Sequence, residues 1–484
     1  MKKITIIIAL ISIVFTSCTD ELLELNPISE NTTDNFYQSE ADFNSAMNAA
    51  YNGLQGLNEI DYRMTEVRSD NAWAKRPDAG FDIDNLQLAS TNVYIAEYWE
   101  IAYNAIFRSN ILLDQIGASD LTEGKKTQFI GEAKFIRALV YFDLVRFFGD
   151  VPLVTRVVKL TESFDVTRAP KADVYAQIIA DLTAATSLPS SNASSADKGR
   201  VTASAAYGLL GKVYLTIGEF GMASDALDVV IDNPDYDLLP AFEEVFSLAN
   251  ENGLENVFSI QYSNGTGNGN SFNYLYGPKV EGADILVGVG QAAIRPTAEL
   301  MRKFEEGDTR KEKTYSPYTL NPQTGSIVTD AYFRKFLSTD LLQDGGQNWP
   351  VLRYADILLM KAEVLNEQDD LVNALAQLNL VRSRAFNGDD DKLYEIANIS
   401  NKEAMKEVLL NERRLEFAGE NQRWFDLVRF GKAEEFLQEE IRTENWETGD
   451  DLQTHKGEMK PHQNLFPIPV QEIEKSGLSQ NPGY

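Results

Sequence analysis

Tyr207, Leu210, Gly211 and Tyr214, followed by Ala223, Leu227 and Pro234, stand at the spacings of two short helices packed back to back. Small residues at the contact let the two helices approach closely, and Gly218 falls in the turn between them. Such a hairpin cannot bury its apolar face alone, so it must stack on further hairpins of the same kind. Other segments offer themselves as partners. Over residues 128–148, Phe129, Ala133, Ile136, Val140, Leu144 and Phe147 recur every three or four positions, the stripe of an amphipathic helix. Gly149 and Pro152 stop it. Residues 39–51, 94–116 and 173–188 follow the same period.

The spacing is that of a tetratricopeptide-type unit, with Tyr207 in the usual Trp position and Leu227 in the usual Phe position. A second, less regular hairpin runs over 354–365 and 371–384, with Ala362, Ala374 and Leu378 at the close contacts. More than a hundred residues separate the two hairpins, which argues for one compact body with long insertions. The expected fold is therefore mainly α: a scaffold of tetratricopeptide-type hairpins carrying long loops and short strands. The length alone would allow about three domains; the expected division is instead a leader over 1–17, an N-terminal half over 18–235 and a C-terminal half over 236–484.

The insertions differ in kind from the helices. Residues 257–262 alternate like a short strand and lead into a Gly/Asn run over 263–270, then Phe272, Asn273, Tyr274, Leu275 and Tyr276. A second loop over 340–350 contains Gly345, Gly346, Asn348 and Trp349, and a third contains Asp70, Asn71, Trp73 and Arg76. Rings and amides on loops held by a rigid scaffold suit binding. With Phe 25, Tyr 20 and Trp 5, the chain has rings enough for a core and a surface. Trp73, Tyr276 and Trp349 are the expected stacking platforms, with Asp70, Asn71, Arg76 and Asn273 as polar partners. Trp99 and Trp424 lie inside helical patterns and belong to the core.

The N-terminus reads as an address. Lys2 and Lys3 precede an apolar run over 4–15, too short to span a bilayer but suited to a signal peptide. It ends at Cys18, the only cysteine, which resembles a lipobox cysteine that is lipidated after cleavage; Phe15 departs from the aliphatic residue usual there. No later segment approaches the roughly 18 apolar residues of a membrane helix.

Four phrases, 133–154 (AKFIRALVYFDLVRFFGDVPLV), 351–367 (VLRYADILLMKAEVLNE), 411–431 (NERRLEFAGENQRWFDLVRFG) and 465–484 (LFPIPVQEIEKSGLSQNPGY), together resemble the SusD/RagB family of outer-membrane nutrient-binding lipoproteins. Asn421 stands where that family usually has Gly, and Asn is the side chain that best tolerates a left-handed backbone. The resemblance implies four helical hairpins, a lipid anchor in the outer membrane, and no catalysis. It also implies a glycan or oligosaccharide ligand and a SusC-like TonB-dependent transporter as partner. Capture of a peptide or another non-sugar nutrient, or a scaffold with no small ligand, are the alternatives.

Composition excludes other classes. With Lys+Arg 44 against Asp+Glu 73, a net charge of -29, the chain has no footprint for a nucleic-acid backbone. One Cys cannot form an intramolecular disulfide or a Cys-rich zinc site, two His, His455 and His462, leave little room for a His-rich metal centre, and no cofactor is expected. Asp389, Asp390 and Asp391 read as a solvated loop rather than a calcium site. Glu412, Arg413, Glu416, Glu420 and Arg423, at helical spacings, read as scaffold ion pairs, as do Arg137 and Asp356 inside apolar helices. A glycosidase needs two carboxylates across a cleft, and nothing in the sequence selects such a pair.

Overall fold

A computed structural model describes residues 36–74, 80–191, 197–280, 288–320, 324–328, 331–437, 441–443, 452–454 and 459–484. Cys18, Arg76 and His455 lie outside the described residues.

Eight helices pair into four antiparallel hairpins: α1 (Glu40–Met64) with α2 (Val93–Ile116), α3 (Glu123–Phe148) with α4 (Lys171–Ala185), α5 (Ala203–Ile217) with α6 (Phe220–Ile231), and α7 (Tyr354–Glu367) with α8 (Leu371–Ala385). Successive hairpins stack through α2 on α3, α4 on α5 and α6 on α7. The helix starts are chemically marked. Ser39 caps α1 in a capping box with Asp42, and the Thr122 and Thr202 hydroxyls cap α3 and α5. In the third hairpin, Gly218 ends α5 at a φ of 82°, the left-handed conformation that favours glycine. A Cβ on Gly211 would come within 2.6 Å of the Leu227 side chain, so a larger residue there would force Leu227 of α6 to shift.

The sequence places an apolar stripe on α3, but the structure buries most of its circumference: Glu132, Arg137 and Tyr141 are as enclosed as Phe135 and Leu144. The reason is its central position, with α1, α2, α4 and α5 all packed around it. Arg137 survives there because Asp181 of α4 accepts both Nε and Nη2 at 2.8 Å, with Asn110 accepting from Nη1 at 2.7 Å. One hydrophobic core extends from Phe43 to Leu478, so both halves of the chain contribute to it. Trp99 and Trp424 are buried within it.

The long insertion between the third and fourth hairpins returns to the scaffold through short antiparallel pairs. Strand β1 (Ala72–Ala74) pairs with β3 (Ile294–Pro296), and β2 (Asn256–Ile260) pairs with β4 (Trp349–Arg353) through a bulge at Pro350–Leu352. Helices α9 (Lys402–Phe417) and α10 (Arg423–Arg429) close the core beyond the fourth hairpin.

Glu412, Arg413, Glu416, Glu420 and Arg423 are scaffold, but their partners are not one another. Glu416 accepts from Arg384 at 2.7 Å, Arg353 at 3.0 Å and Arg310 at 3.4 Å, three arginines from three other segments. Arg413 bridges Asp356 of α7 and Asp426 of α10 at 2.8 and 2.9 Å. All are buried, so this is an internal ionic frame rather than surface pairing along a helix. Asn421 adopts a φ of 61°, as its place in the turn requires.

Candidate functional site

Two loops of the insertion, 263–277 and 338–348, are knitted into one plate. Gly267 and Gly269 donate their backbone N–H groups to the Asp344 carboxylate at 3.0 and 2.7 Å, and Gly265 donates to the Asp344 carbonyl at 3.0 Å. Asn270 and Gly345 exchange backbone hydrogen bonds at 2.9 and 3.0 Å. Asp340 accepts from Gly346 N at 2.9 Å, and Asn264 Oδ1 accepts from Leu341 N at 3.1 Å. The glycine-rich run is therefore held in place by the side chains of the other loop. From below, Glu59 of α1 accepts from Ser271 N at 3.1 Å, fixing the plate to the first hairpin.

Three of the side chains expected to form the binding shelf, Asn273, Tyr276 and Trp349, sit beneath this plate, and Trp73 is covered elsewhere. Trp349 is 4 % exposed, stacked on Phe336 with centroids 4.4 Å apart and packed against Phe272 at 5.3 Å. Tyr276 is buried between Phe272, Phe333 and Phe336. Asn273 is buried and spends its amide on the other loop: Oδ1 accepts from Ser338 N at 3.0 Å and Nδ2 donates to the Asp340 carbonyl at 3.2 Å. Trp73 is 8 % exposed, in β1, with the Arg295 guanidinium 5.4 Å from its ring centroid. A sugar platform needs an uncovered ring face, and these three rings are covered by protein.

Asp70 and Asn71 are likewise internal. Asp70 receives both Nε and Nη2 of Arg423, at 2.7 and 2.8 Å, with Arg414 3.0 Å away. Asn71 accepts from Arg414 Nε at 2.8 Å and donates to Glu66 at 3.1 Å. Glu66 also accepts from Gly419 N and Asn421 N, at 2.8 and 3.0 Å; burial pushes its carboxyl up to about 7 against those hydrogen bonds. This cluster locks the first hairpin to the turn after α9. It corrects the expectation of Asp70 and Asn71 as ligand partners. The structure thus brings Asn273, Tyr276 and Trp349 together as the support of one plate, with Asp70 and Asn71 in a separate ionic lock.

What the plate presents outward is a set of residues in or beside the loops expected to bind, none of them among the expected contacts. Ser263, Asn264, Thr266, Asn268, Thr339 and Gln343 are exposed. None is charged, on a chain of net charge -29, and the two acids of the plate, Asp340 and Asp344, are engaged by backbone N–H groups. Tyr274 is half-buried, and Leu341 is 49 % exposed. Asn273 and Tyr276 share the inner face of a one-turn helix, Phe272–Tyr276, because they are three residues apart; Tyr274 falls on the other face. Helical phase was the signal that separates these rings. Amides and hydroxyls beside a part-exposed ring can hydrogen-bond sugar hydroxyls and stack on a sugar face.

Of the remaining charged candidates, Asp389, Asp390 and Asp391 are exposed, and His462 packs edge-on against Tyr484 at 4.7 Å. Among the described residues no three His, Cys, Asp or Glu side chains converge as a metal centre, and no helix is long and apolar enough to cross a membrane.

Comparison with known proteins gives a consistent set of likenesses. Residues 316–484 match the family described as the SusD family, and residues 21–215 match one described as starch-binding, associating with the outer membrane. A SusD-like protein of Formosa agariphila is 28% identical, over 100% of this chain and 99% of its own length. Another, from Bacteroides ovatus, is 24% identical over 88% of this chain and 82% of its own. A solved laminarin-binding SusD-like protein superposes with a TM-score of 0.77 at 28% identity, covering 93% of this chain and 100% of its own. The surface glycan-binding protein A of Bacteroides fluxus shares the fold at a TM-score of 0.78 and 22% identity, over 92% of this chain and 100% of its own.

Proposed function

The chain belongs to the SusD/RagB family, and from that membership we propose that it is a non-catalytic, surface-exposed lipoprotein that holds a neutral glycan or oligosaccharide. On this reading a lipid on Cys18 tethers it to the outer membrane, and it delivers its ligand to a SusC-like TonB-dependent transporter. The observation that carries the glycan reading is the likeness to a laminarin-binding protein over the whole of that protein's length.

The chemistry of the loop plate supports a neutral ligand. A carboxylated or sulfated glycan would need cations facing it, whereas the exposed edge over 263–268 and 339–343 offers amides and hydroxyls. A part-exposed ring with a few hydrogen bonds forms a shallow shelf, which suits a ligand that must be released again. The proposed contacts are Tyr274, Asn264, Asn268 and Gln343.

Titration calorimetry of the mature protein against laminarin, starch and a uronic-acid polysaccharide tests this. The expected result is binding to a neutral glycan, with Tyr274→Ala weakening it about tenfold, equivalent to ~1.4 kcal/mol, at unchanged stability. Binding of peptides alone, or of the uronic-acid polymer in preference, would overturn the ligand class. Delivery is tested separately by purification from native membranes, where an outer-membrane transporter should accompany the protein.

A further inference from the structure

Behind the plate, between α1, α3, α5 and the turn after α9, lies a small cavity of about 70 Å³. Trp349 forms part of its wall, but its polar lining is the unusual part: Asp61, Asp143, Arg146, Lys212 and Asn421. Two buried oxygens on this lining, Asp61 Oδ1 and Asn421 Oδ1, have no hydrogen-bond partner, and Asn421 as a whole is only 3 % exposed. An unpaired buried acceptor costs about 1–3 kcal/mol, so two on one cavity wall call for an occupant.

The rest of the lining decides what kind. Asn421 cannot turn its donor toward the cavity, because Nδ2 already donates to Asp61 Oδ2 at 3.2 Å. Its backbone is equally fixed, with N–H on Glu66 at 3.0 Å and φ at 61°. Asp143 is paired with Arg146, whose guanidinium lies 3.8 Å from the Phe142 ring centroid and 3.5 Å from that of Phe425; the Tyr98 hydroxyl reaches the other Asp143 oxygen only at 3.5 Å. Lys212 is spent on Asp356 at 3.0 Å and Gln422 at 2.7 Å. Glu420, also on the wall, is neutralised by Lys335 and Arg353 at 2.7 and 2.8 Å. On this lining Asp61 and Asp143 share one cation, Arg146, so the site has one more carboxylate than it has free cations, beside the unpaired Asn421 oxygen.

We propose that this cavity binds a single monovalent alkali cation, sodium or potassium, held by Asp61 Oδ1 and Asn421 Oδ1 and completed by Asp143 and water. One unit of charge and two carboxylates suit a monovalent ion; a divalent ion would leave excess positive charge beside Arg146. The volume holds an ion with a few waters. A groove of about 770 Å³ between α3, α4, α5 and α10 lies on the other side of Arg146, Lys212 and Phe425, which line both spaces. Bound in the cavity, the ion would tie α1 to the turn at Asn421 behind Trp349, at the base of the plate.

Thermal unfolding of the mature protein in sodium, potassium or tetramethylammonium chloride, at equal ionic strength and the same pH, tests the site. The expected result is a midpoint about 2 °C or more higher in sodium or potassium, saturating with concentration. Asp61→Asn should abolish that increment. Because Asp61→Asn could also disturb the fold, Asn421→Gly provides the second arm: glycine accepts the same backbone conformation and removes the side-chain oxygen. It should fold and lose the increment too. Equal midpoints in all three salts, or an undiminished increment in the folded variants, would mean water alone fills the cavity and would overturn the site.

Discussion

Replacing Glu416 with Gln is expected to lower the free energy of unfolding by about 3–5 kcal/mol, the range for removing one partner of a buried ion pair. Glu416 stands at the centre of a cluster in which Arg310, Lys335, Arg353, Arg382 and Arg384 face Glu255, Asp308, Glu412, Glu416 and Glu420, five buried cations against five buried anions. The balance is the point. A neutral amide at position 416 leaves one positive charge in excess, and its NH2 group would turn a donor toward donors already aimed at the lost oxygens. Burial raises the Glu416 carboxyl, but Arg384, Arg353 and Arg310 outweigh it and hold the group down at about 2. Its folded value therefore lies below its ordinary value of 4.5. The unfolded chain takes up the proton first on acidification, so the stabilisation is fully present above 4.5 and is lost as pH falls toward about 2. Glu416→Gln should lack that part of the acid slope. Urea unfolding at neutral and acidic pH measures both. Glu305→Gln is the control: it pairs with Arg382 at 2.7 Å, but its side chain is 43% exposed, and the loss should stay within about 1 kcal/mol. Equal effects from the two substitutions would show that the cluster does not act through burial.

The same frame explains which parts of this protein can be read from its sequence. The helices over 128–148 and 354–384 are legible because periodicity is local, and Asn421 is legible because a left-handed residue restricts side-chain choice locally. The ionic roles are not local. Asp70 meets Arg423 across 353 positions, and Glu416 collects arginines from three segments, so spacing within 411–431 points to the right class of interaction with the wrong partners. The loop plate fails for a related reason. A Gly/Asn run next to aromatic residues signals a structured loop, but which ring points outward depends on the helical phase at Phe272–Tyr276 and on a second loop more than sixty residues away. Large rings are buried more often than not, so residue type alone favours the wrong ones as platforms.

Trp349→Ala should cost about 3–5 kcal/mol, as for other buried aromatic truncations, and glycan affinity should fall with it. The two losses would share one cause. Trp349 belongs to β4, where it pairs with Ile260, and its ring fills the space between Phe336 and Phe272 under the plate. Removing it leaves a cavity against which Phe272 and the one-turn helix carrying Tyr274 can shift. Loss of affinity in this variant therefore cannot by itself show that the ring touches a ligand. Trp349→Phe separates the two roles, because it retains an aromatic stack on Phe336 while changing the outline of the ring. A supporting ring predicts a modest stability loss and an affinity within about threefold of the parent, a difference below ~1 kcal/mol. A contacting ring predicts an affinity loss comparable to that of Tyr274→Ala with little change in unfolding. Unfolding curves and calorimetry on the three variants, against whichever neutral glycan binds the parent, decide between them. A large affinity loss in Trp349→Phe at unchanged stability would return Trp349 to the ligand face and require the plate to open on binding.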